Sequence, residues 1–106
     1  MSTRIHKYEI PAPITYNIPV VVALPVGAKV LMVGTQLDLG NDELIYLWVE
    51  INTSAPMVQS HFMVLATGSS VPWNADHVGS VAFTTQHLVF HIYQLHAGYI
   101  QPKYSD

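Results

Sequence analysis

Residues 43–51 read ELIYLWVEI, an apolar run that turn-forming residues bound on both sides. Successive side chains of a β-strand point to opposite faces of its sheet. One face of this strand would be wholly aliphatic and would consist of Ile45, Leu47, Val49 and Ile51. The other face would be apolar or aromatic up to its last member and would consist of Leu44, Tyr46, Trp48 and Glu50. A sheet with one solvated face alternates apolar and polar residues instead, so we predict a strand with apolar surface on both faces.

The rest of the chain has similar short apolar segments, which 7 prolines and 6 glycines separate at intervals of about ten residues. The predicted strands cover residues 4–10, 18–24, 29–37, 43–51, 58–67, 78–84 and 87–95, with a hairpin turn at 38–42 and the longest loop at 68–76. Gly34 inside a strand indicates a bulge or a close backbone approach. Residues 87–95 could form a short helix, but their β-branched and aromatic content favours a strand. We predict an all-β fold, an antiparallel β-sandwich or flattened barrel of about six to eight short strands.

The composition restricts the class of protein. Of 106 residues, 4 are Lys or Arg and 7 are Asp or Glu, so that 10% of the chain is charged, against about 25% in an ordinary globular domain. Such an apolar chain is not intrinsically disordered, and its net charge of −3 gives no basic field for nucleic acid. The lack of cysteine excludes disulfides, cysteine nucleophiles and cysteine-based zinc sites. We expect neither a transmembrane helix nor a secretory signal.

The double-sided strands favour assembly. A sandwich has one core, between its sheets, and exposed apolar area favours association by about 25 cal/mol per Å². We therefore expect a homo-oligomer whose interface consists of Leu44, Tyr46, Trp48, Val89, Tyr93, Tyr99 and Tyr104. Residues 1–95 would form a single β domain, and residues 96–106 a C-terminal tail that serves as an interface arm. The alternative is that the tail and the long loop cover the second face within one copy.

The long loop is the best candidate for ligand binding. Trp73 would stand at its tip, where an aromatic side chain can anchor an interface or stack on a ligand. The candidate residues are Lys29, Thr67, Ser69, Ser70, Trp73 and His77, and the ligand class would be a small anion.

Other site chemistry has less support in the sequence. His87 and His91 are four residues apart and would lie about 13 Å apart on a strand, too far to share one metal ion. Glu50 stands on an apolar face, but a carboxylate there is more often paired across the sheet than catalytic. The chain has no nucleophile elbow, phosphate loop or dinucleotide fingerprint. We therefore predict no metal, no cofactor and no enzymatic activity.

Several short motifs follow one another along the chain, namely Ile5-His6-Lys7-Tyr8-Glu9, Leu24-Pro25-Val26-Gly27-Ala28-Lys29-Val30-Leu31, Leu47-Trp48-Val49, Thr67-Gly68 with Val71-Pro72, Val78-Gly79-Ser80-Val81 and Val89-Phe90-His91-Ile92-Tyr93. In this order, over about residues 5 to 95, the chain resembles a family of small uncharacterised bacteriophage and prophage proteins. That family usually has His and Trp where this chain has Ser69 and Phe90. The resemblance implies a phage origin and a compact β domain, and it implies no reaction.

Two functions remain open from the sequence. The first is a non-enzymatic virion component, such as a decoration or minor capsid protein, in contact with itself and with other phage structural proteins. The second is an accessory counter-defence protein that binds a host defence protein or, as a small homo-oligomer, sequesters an anionic nucleotide signal. The protein would accordingly be found in the virion or in the host cytoplasm, with neither a membrane nor nucleic acid as its partner.

Overall fold

A computed structural model describes residues 2–11, 14, 16–84 and 87–96, which form seven β-strands and no helix. The strands are β1 (Thr3–Glu9), β2 (Val20–Pro25), β3 (Lys29–Leu37), β4 (Glu43–Asn52), β5 (Met57–Ala66), β6 (Ala75–Phe83) and β7 (Leu88–Leu95). The prediction of an all-β fold is confirmed, and the segment for which a short helix was the alternative is the strand β7. Across these described ranges, no helix is long and apolar enough to span a membrane.

The strands form two antiparallel sheets. The small sheet has the strand order β1-β4-β3, and the large sheet has the order β2-β5-β7-β6. Side chains of both sheets share one apolar core, so the sheets pack face to face as in a β-sandwich. In the described part of the chain no strand of one sheet pairs with a strand of the other. The described strands therefore do not close into a barrel, and their arrangement is that of a sandwich.

The core lies where the alternation in β4 predicts it. The four aliphatic residues on the inward face of β4 are each at most 4% exposed. The large sheet places Phe62, Val64 and Ile92 opposite them in the same cluster, and each of these three is 0% exposed. Burying an aliphatic or aromatic side chain contributes about 1.5–3 kcal/mol, so this layer holds the sheets together.

The hairpin between β3 and β4 is built by its own turn residues. Oδ1 of Asp38 accepts hydrogen bonds from the backbone N–H groups of Gly40 and Asp42, each at 2.8 Å. Asn41 has a φ of 67°, a left-handed conformation that asparagine tolerates better than most residues. The predicted hairpin is thus confirmed, and it carries β3 and β4 side by side.

Two edge strands contain a register slip. In β3 the slip lies between Val30 and Met32, and in β6 it lies between His77 and Gly79. The expected close approach at Gly34 is confirmed, because a Cβ there would lie 3.2 Å from the ring of Trp48. The bulge itself lies next to Leu31 instead.

The edge strands of the two sheets also touch. A Cβ on Gly79 of β6 would lie only 2.7 Å from Cγ2 of Val33 on β3. Glu43 adds a polar tie between the sheets, since its carboxylate accepts hydrogen bonds from Thr35 Oγ1 at 2.7 Å and from the Thr84 N–H at 3.0 and 3.1 Å. Thr84 Oγ1 donates to the same carboxylate at 3.2 Å. These contacts fix the position of β3 over β6.

Two predicted strand boundaries are wrong by more than one residue. β6 begins at Ala75 rather than at residue 78, because Ala75 and Asp76 already pair with Leu95 and Gln94 of β7. β2 begins at Val20 rather than at residue 18, since Pro19 has no N–H for the ladder. The long loop accordingly covers residues 67–74.

Candidate functional site

The outward surface of the small sheet, here called the open face, is the first candidate. Its members are Ile5, Lys7, Glu9, Lys29, Met32, Gln36, Leu44, Tyr46, Trp48 and Glu50, which register with one another across the three strands. Ile5 is 62% exposed and Met32 is 52% exposed, whereas Tyr46 and Trp48 on the central strand are half-buried. Apolar residues that share a sheet face which no other described strand covers form a patch of the kind that marks interaction sites.

A lysine crosses the open face. Nζ of Lys7 donates a hydrogen bond to Oε1 of Gln36 at 2.7 Å and stands 4.6 Å from the ring centroid of Tyr46. Lys7 is on β1 and Gln36 is on β3, so the side chain leans across β4. The ammonium group therefore lies over the middle of the sheet and away from the free edge of β1.

The charges of the open face are balanced. Lys7 and Lys29 share the face with Glu9 and Glu50, and Lys29 is the cross-strand partner of Glu50. Glu50 is exposed, and the expectation that it pairs across the sheet stays a prediction. A face with equal numbers of lysine and glutamate side chains can meet a copy of itself without excess charge.

The outward surface of the large sheet is arranged differently. β5 and β6 run in the same direction on either side of β7, so the loop between them has to cross the sheet. Beneath it lies a second small cluster of buried residues, Met63, Leu65 and Leu95, with Ala75 and Tyr93 packed against it. The N–H of His96 donates to the carbonyl oxygen of Asn74 at 3.0 Å and holds the far end of the loop. The loop thus covers part of the outward face of the large sheet, which is the part of the alternative expectation that concerns the loop.

A row of four polar side chains, here called the polar chain, lies on this same outward surface. Nε2 of His77 is 2.9 Å from Oγ of Ser80, and that oxygen is 2.8 Å from Nδ1 of His91. Nε2 of His91 is in turn 3.0 Å from Oγ1 of Thr67. The ring of Tyr93 meets the ring of His77 edge-on at 5.3 Å.

Each of the three hydrogen bonds in the polar chain can have one donor and one acceptor at the same time. With neutral imidazoles, His77 can donate to Ser80, Ser80 to His91, and His91 to Thr67, or all three bonds can run in the opposite direction. One added proton on either histidine leaves every bond intact, because the serine hydroxyl both donates and accepts. The chain can thus pass a proton along its length and can present a hydrogen-bonded rim to a ligand.

An open cavity of about 180 Å³ adjoins the polar chain. Its lining combines loop and sheet residues, namely Leu65, Ala66, Thr67, Gly68, Ser69, Val71, His91 and Tyr93. This cavity is smaller than most ligand pockets, which measure about 300–1,000 Å³, so it fits at most a very small molecule or one side chain.

The structure brings together only part of the predicted ligand site. Thr67 and His77 are joined through the polar chain, and Ser69 lines the cavity. Trp73 is 89% exposed, which confirms its expected place at the surface of the loop. Ser70 is exposed and does not line the cavity. Lys29 lies on the open face of the other sheet and is not part of this site, since the loop crosses the far side of the sandwich.

The predicted interface residues also divide. Leu44, Tyr46 and Trp48 lie together on the open face, whereas Val89 and Tyr93 lie on the outward surface of the large sheet. Tyr93 packs on the small buried cluster, so its ring contributes to the fold of a single copy. Tyr99, Tyr104 and the predicted tail beyond residue 96 lie outside the described residues.

Sequence reasoning missed Ser80 and His91 as partners of His77. The register slip at residue 78 breaks the alternation of β6, so that His77 and Ser80 reach the same face although their spacing predicts opposite faces. His87, with a φ of 54°, lies in the turn before β7, while His91 lies within that strand. In the ranges that the structure describes, no three histidine, aspartate or glutamate side chains lie close enough to hold a metal ion.

The chain matches one family model. The model described as "Domain of unknown function (DUF7352)" covers residues 1–101. Neither the curated proteins nor the solved structures contain a match to the chain. The expected link with bacteriophage stays a prediction, because the family description names neither a source nor an activity.

Proposed function

We propose that this chain, which belongs to the family of the domain of unknown function DUF7352, is a non-enzymatic module that works by assembly with further copies of itself. The open face carries the proposal. It combines exposed Ile5 and Met32 with half-buried Tyr46 and Trp48. Covering such a face removes apolar area from water, which stabilises association by about 25 cal/mol per Å².

The choice of a second copy as partner follows from charge. The open face has two lysines and two glutamates, Lys7, Lys29, Glu9 and Glu50. A two-fold contact brings the same surface of each copy together, and a balanced face permits each lysine to approach a glutamate of the other copy. A strongly charged partner would gain little from this surface.

Solution mass tests the proposal. We expect sedimentation velocity of the purified chain to show a species heavier than one copy, and its fraction to fall on dilution. Ile5→Lys places a charge on the open face and should raise the Kd of association by at least about tenfold. Trp73→Lys is the matched control, because it places the same charge on an exposed residue of the loop that crosses the other sheet and should leave the mass unchanged. A wild-type chain that sediments as one copy at every concentration would refute the proposal.

The virion setting stays a prediction of the resemblance, and it has its own test. A structural component should remain with particles through purification, so its absence from the proteins of purified virions would remove this setting.

The alternative of capturing an anionic nucleotide has a weaker physical basis. Within the described ranges every lysine and arginine, Arg4, Lys7 and Lys29, lies on the small sheet, whereas the cavity and the polar chain lie on the large sheet. Anion capture usually relies on lysine or arginine. Calorimetry against a panel of nucleotides should therefore show no heat, and tight binding without turnover would favour the alternative.

A further inference from the structure

We propose that two copies join through the free edge of β1, which pairs antiparallel with β1 of the second copy and merges the two small sheets into one continuous sheet. This inference rests on the proposed function and adds an edge contact to it. Edge pairing places the open faces of the two copies side by side on one merged sheet, where further copies can cover them. The occupant is a second copy of this chain, and the segment that it contributes is Thr3–Glu9.

The backbone hydrogen bonds of β1 identify which of its N–H and C=O groups have no partner among the described residues. The N–H of Ile10 donates to the Ile45 carbonyl at 2.9 Å, and the Ser2 carbonyl accepts from the N–H of Thr53 at 3.0 Å. Because the register between β1 and β4 has no slip, the even-numbered residues between these two also point their backbone groups at β4. The odd-numbered residues therefore present their N–H and C=O groups at the outer edge, and they are Thr3, Ile5, Lys7 and Glu9.

The other edge strands carry features that oppose such pairing. β3 and β6 each contain a register slip, and a bulge interrupts the row of groups that a new strand would meet. β2 ends in Pro25. The N–H of Val26 donates to the carbonyl oxygen of Pro56, which directly precedes β5. Because neighbouring residues of a strand point their backbone groups to opposite sides, the nitrogen of Pro25 faces the outer edge, and it has no hydrogen to donate. β1 is the described edge strand with regular pairing and no proline.

Lysine usually protects an edge strand by pointing its charge outward. Lys7 does not do so, because its Nζ is held over the central strand by Gln36 and the ring of Tyr46. Six of the seven residues of β1 are exposed. An open groove of about 610 Å³ also borders the strand, lined by Thr3, Arg4, Ile5, His6 and Glu50. The edge is therefore accessible along its length.

The sequence of β1 complements itself. The antiparallel register with the longest overlap places Ile5 of one copy opposite Lys7 of the other, and Thr3 opposite Glu9. Each of the four residues whose backbone N–H and C=O groups point to the edge is then opposite another such residue. The four pairs form about eight backbone hydrogen bonds. No lysine opposes a lysine and no glutamate opposes a glutamate. The even-numbered residues of the same register place Arg4 opposite Tyr8, and His6 opposite His6 of the second copy.

Amide hydrogen exchange on the wild-type chain gives the direct test. In the associated state the odd-numbered amides of β1 should exchange as slowly as the even-numbered ones, and dilution to single copies should restore fast exchange to the odd-numbered set alone. If the odd-numbered amides exchange fast while the chain is associated, the edge contact is refuted and the proposed function stands. If the chain does not associate at all, the proposed function fails.

A pair of variants separates the backbone contact from the side-chain contact. Ile5→Pro removes an outward N–H that β4 does not use, and Ile5→Ala removes the side chain while keeping that N–H. Edge pairing predicts that Ile5→Pro raises the Kd roughly 10- to 100-fold above the Kd of Ile5→Ala. Equal loss in both variants would assign the contact to the open face and overturn the inference. Circular dichroism confirms that each variant keeps its β structure, and the exchange test above needs no variant.

Discussion

Among the described glycines, Gly79 is the one at which an added methyl group would meet the closest atom. A Cβ there would lie 2.7 Å from Cγ2 and 2.8 Å from Cβ of Val33, which is well inside van der Waals contact. Gly79→Ala therefore forces β6 and β3 apart or moves Val33, and overpacking of this kind costs about 1–3 kcal/mol. Replacing glycine by alanine also stabilises by about 0.4–1 kcal/mol through the unfolded chain, so the clash outweighs the gain.

Gly40→Ala is the matched control. The nearest atom to a Cβ at Gly40 is Oδ1 of Asp38 at 3.5 Å, an ordinary contact, so this variant shares the unfolded-state gain without the clash. Urea and thermal unfolding should place Gly79→Ala about 1–3 kcal/mol below Gly40→Ala. Each kcal/mol corresponds to a Tm difference of roughly 4–8 °C in a domain of this size.

A second variant tests the assigned cause. Val33→Gly removes both atoms that the new methyl group would meet, so the double variant with Gly79→Ala should lose less stability than the sum of the two single changes. The coupling should be about 1–3 kcal/mol, as for residues in direct contact. The reasoning would be refuted by additive losses, or by a Gly79→Ala variant that is as stable as Gly40→Ala.

Two further variants test polar contacts. Glu43→Ala leaves the N–H of Thr84 and the hydroxyl of Thr35 without their carboxylate, and should lower the free energy of unfolding by about 1.5–3 kcal/mol. Glu43→Gln keeps an acceptor oxygen and should lower the free energy of unfolding by less. Equal losses in the two variants would contradict the hydrogen-bond explanation. Ser80→Ala interrupts the polar chain on an exposed surface, and should cost less than about 1 kcal/mol while changing the imidazole ¹⁵N shifts of both His77 and His91. Unchanged shifts at either ring would show that the hydroxyl does not link them.

The central part of the fold could be predicted because its signals are local. The alternation in β4 identifies the four inward residues, and the Asp38 turn identifies the hairpin partner. The start of β6 could not be predicted, because Ala75 and Asp76 have no strand signal and are held by pairing with Leu95 and Gln94 of β7. Such pairing depends on chain segments far apart in sequence, and composition does not encode it.

The candidate sites were predictable to a smaller degree, and for the same reason. The open face follows from β4 alone, since Leu44, Tyr46 and Trp48 alternate with the core residues. The polar chain depends on a bulge that brings His77 and Ser80 to one face, and no residue type announces that bulge. Assigning Lys29 to the loop required a guess about which sheet each strand joins, and that guess was wrong.

The loop that crosses β7 sets how much length this chain can lose. Ala66 is the partner of Phe90 and Ala75 is the partner of Leu95, so the two ends of the crossing are roughly 19 Å apart. The chain between them could reach about 30 Å if it were extended. About a third of this length is therefore slack, and the exposed Trp73 lies within it. Relatives should therefore tolerate insertions in this loop better than deletions. A deletion of more than about three residues would stretch the loop between β5 and β6 to its full length and expose Met63 and Leu65.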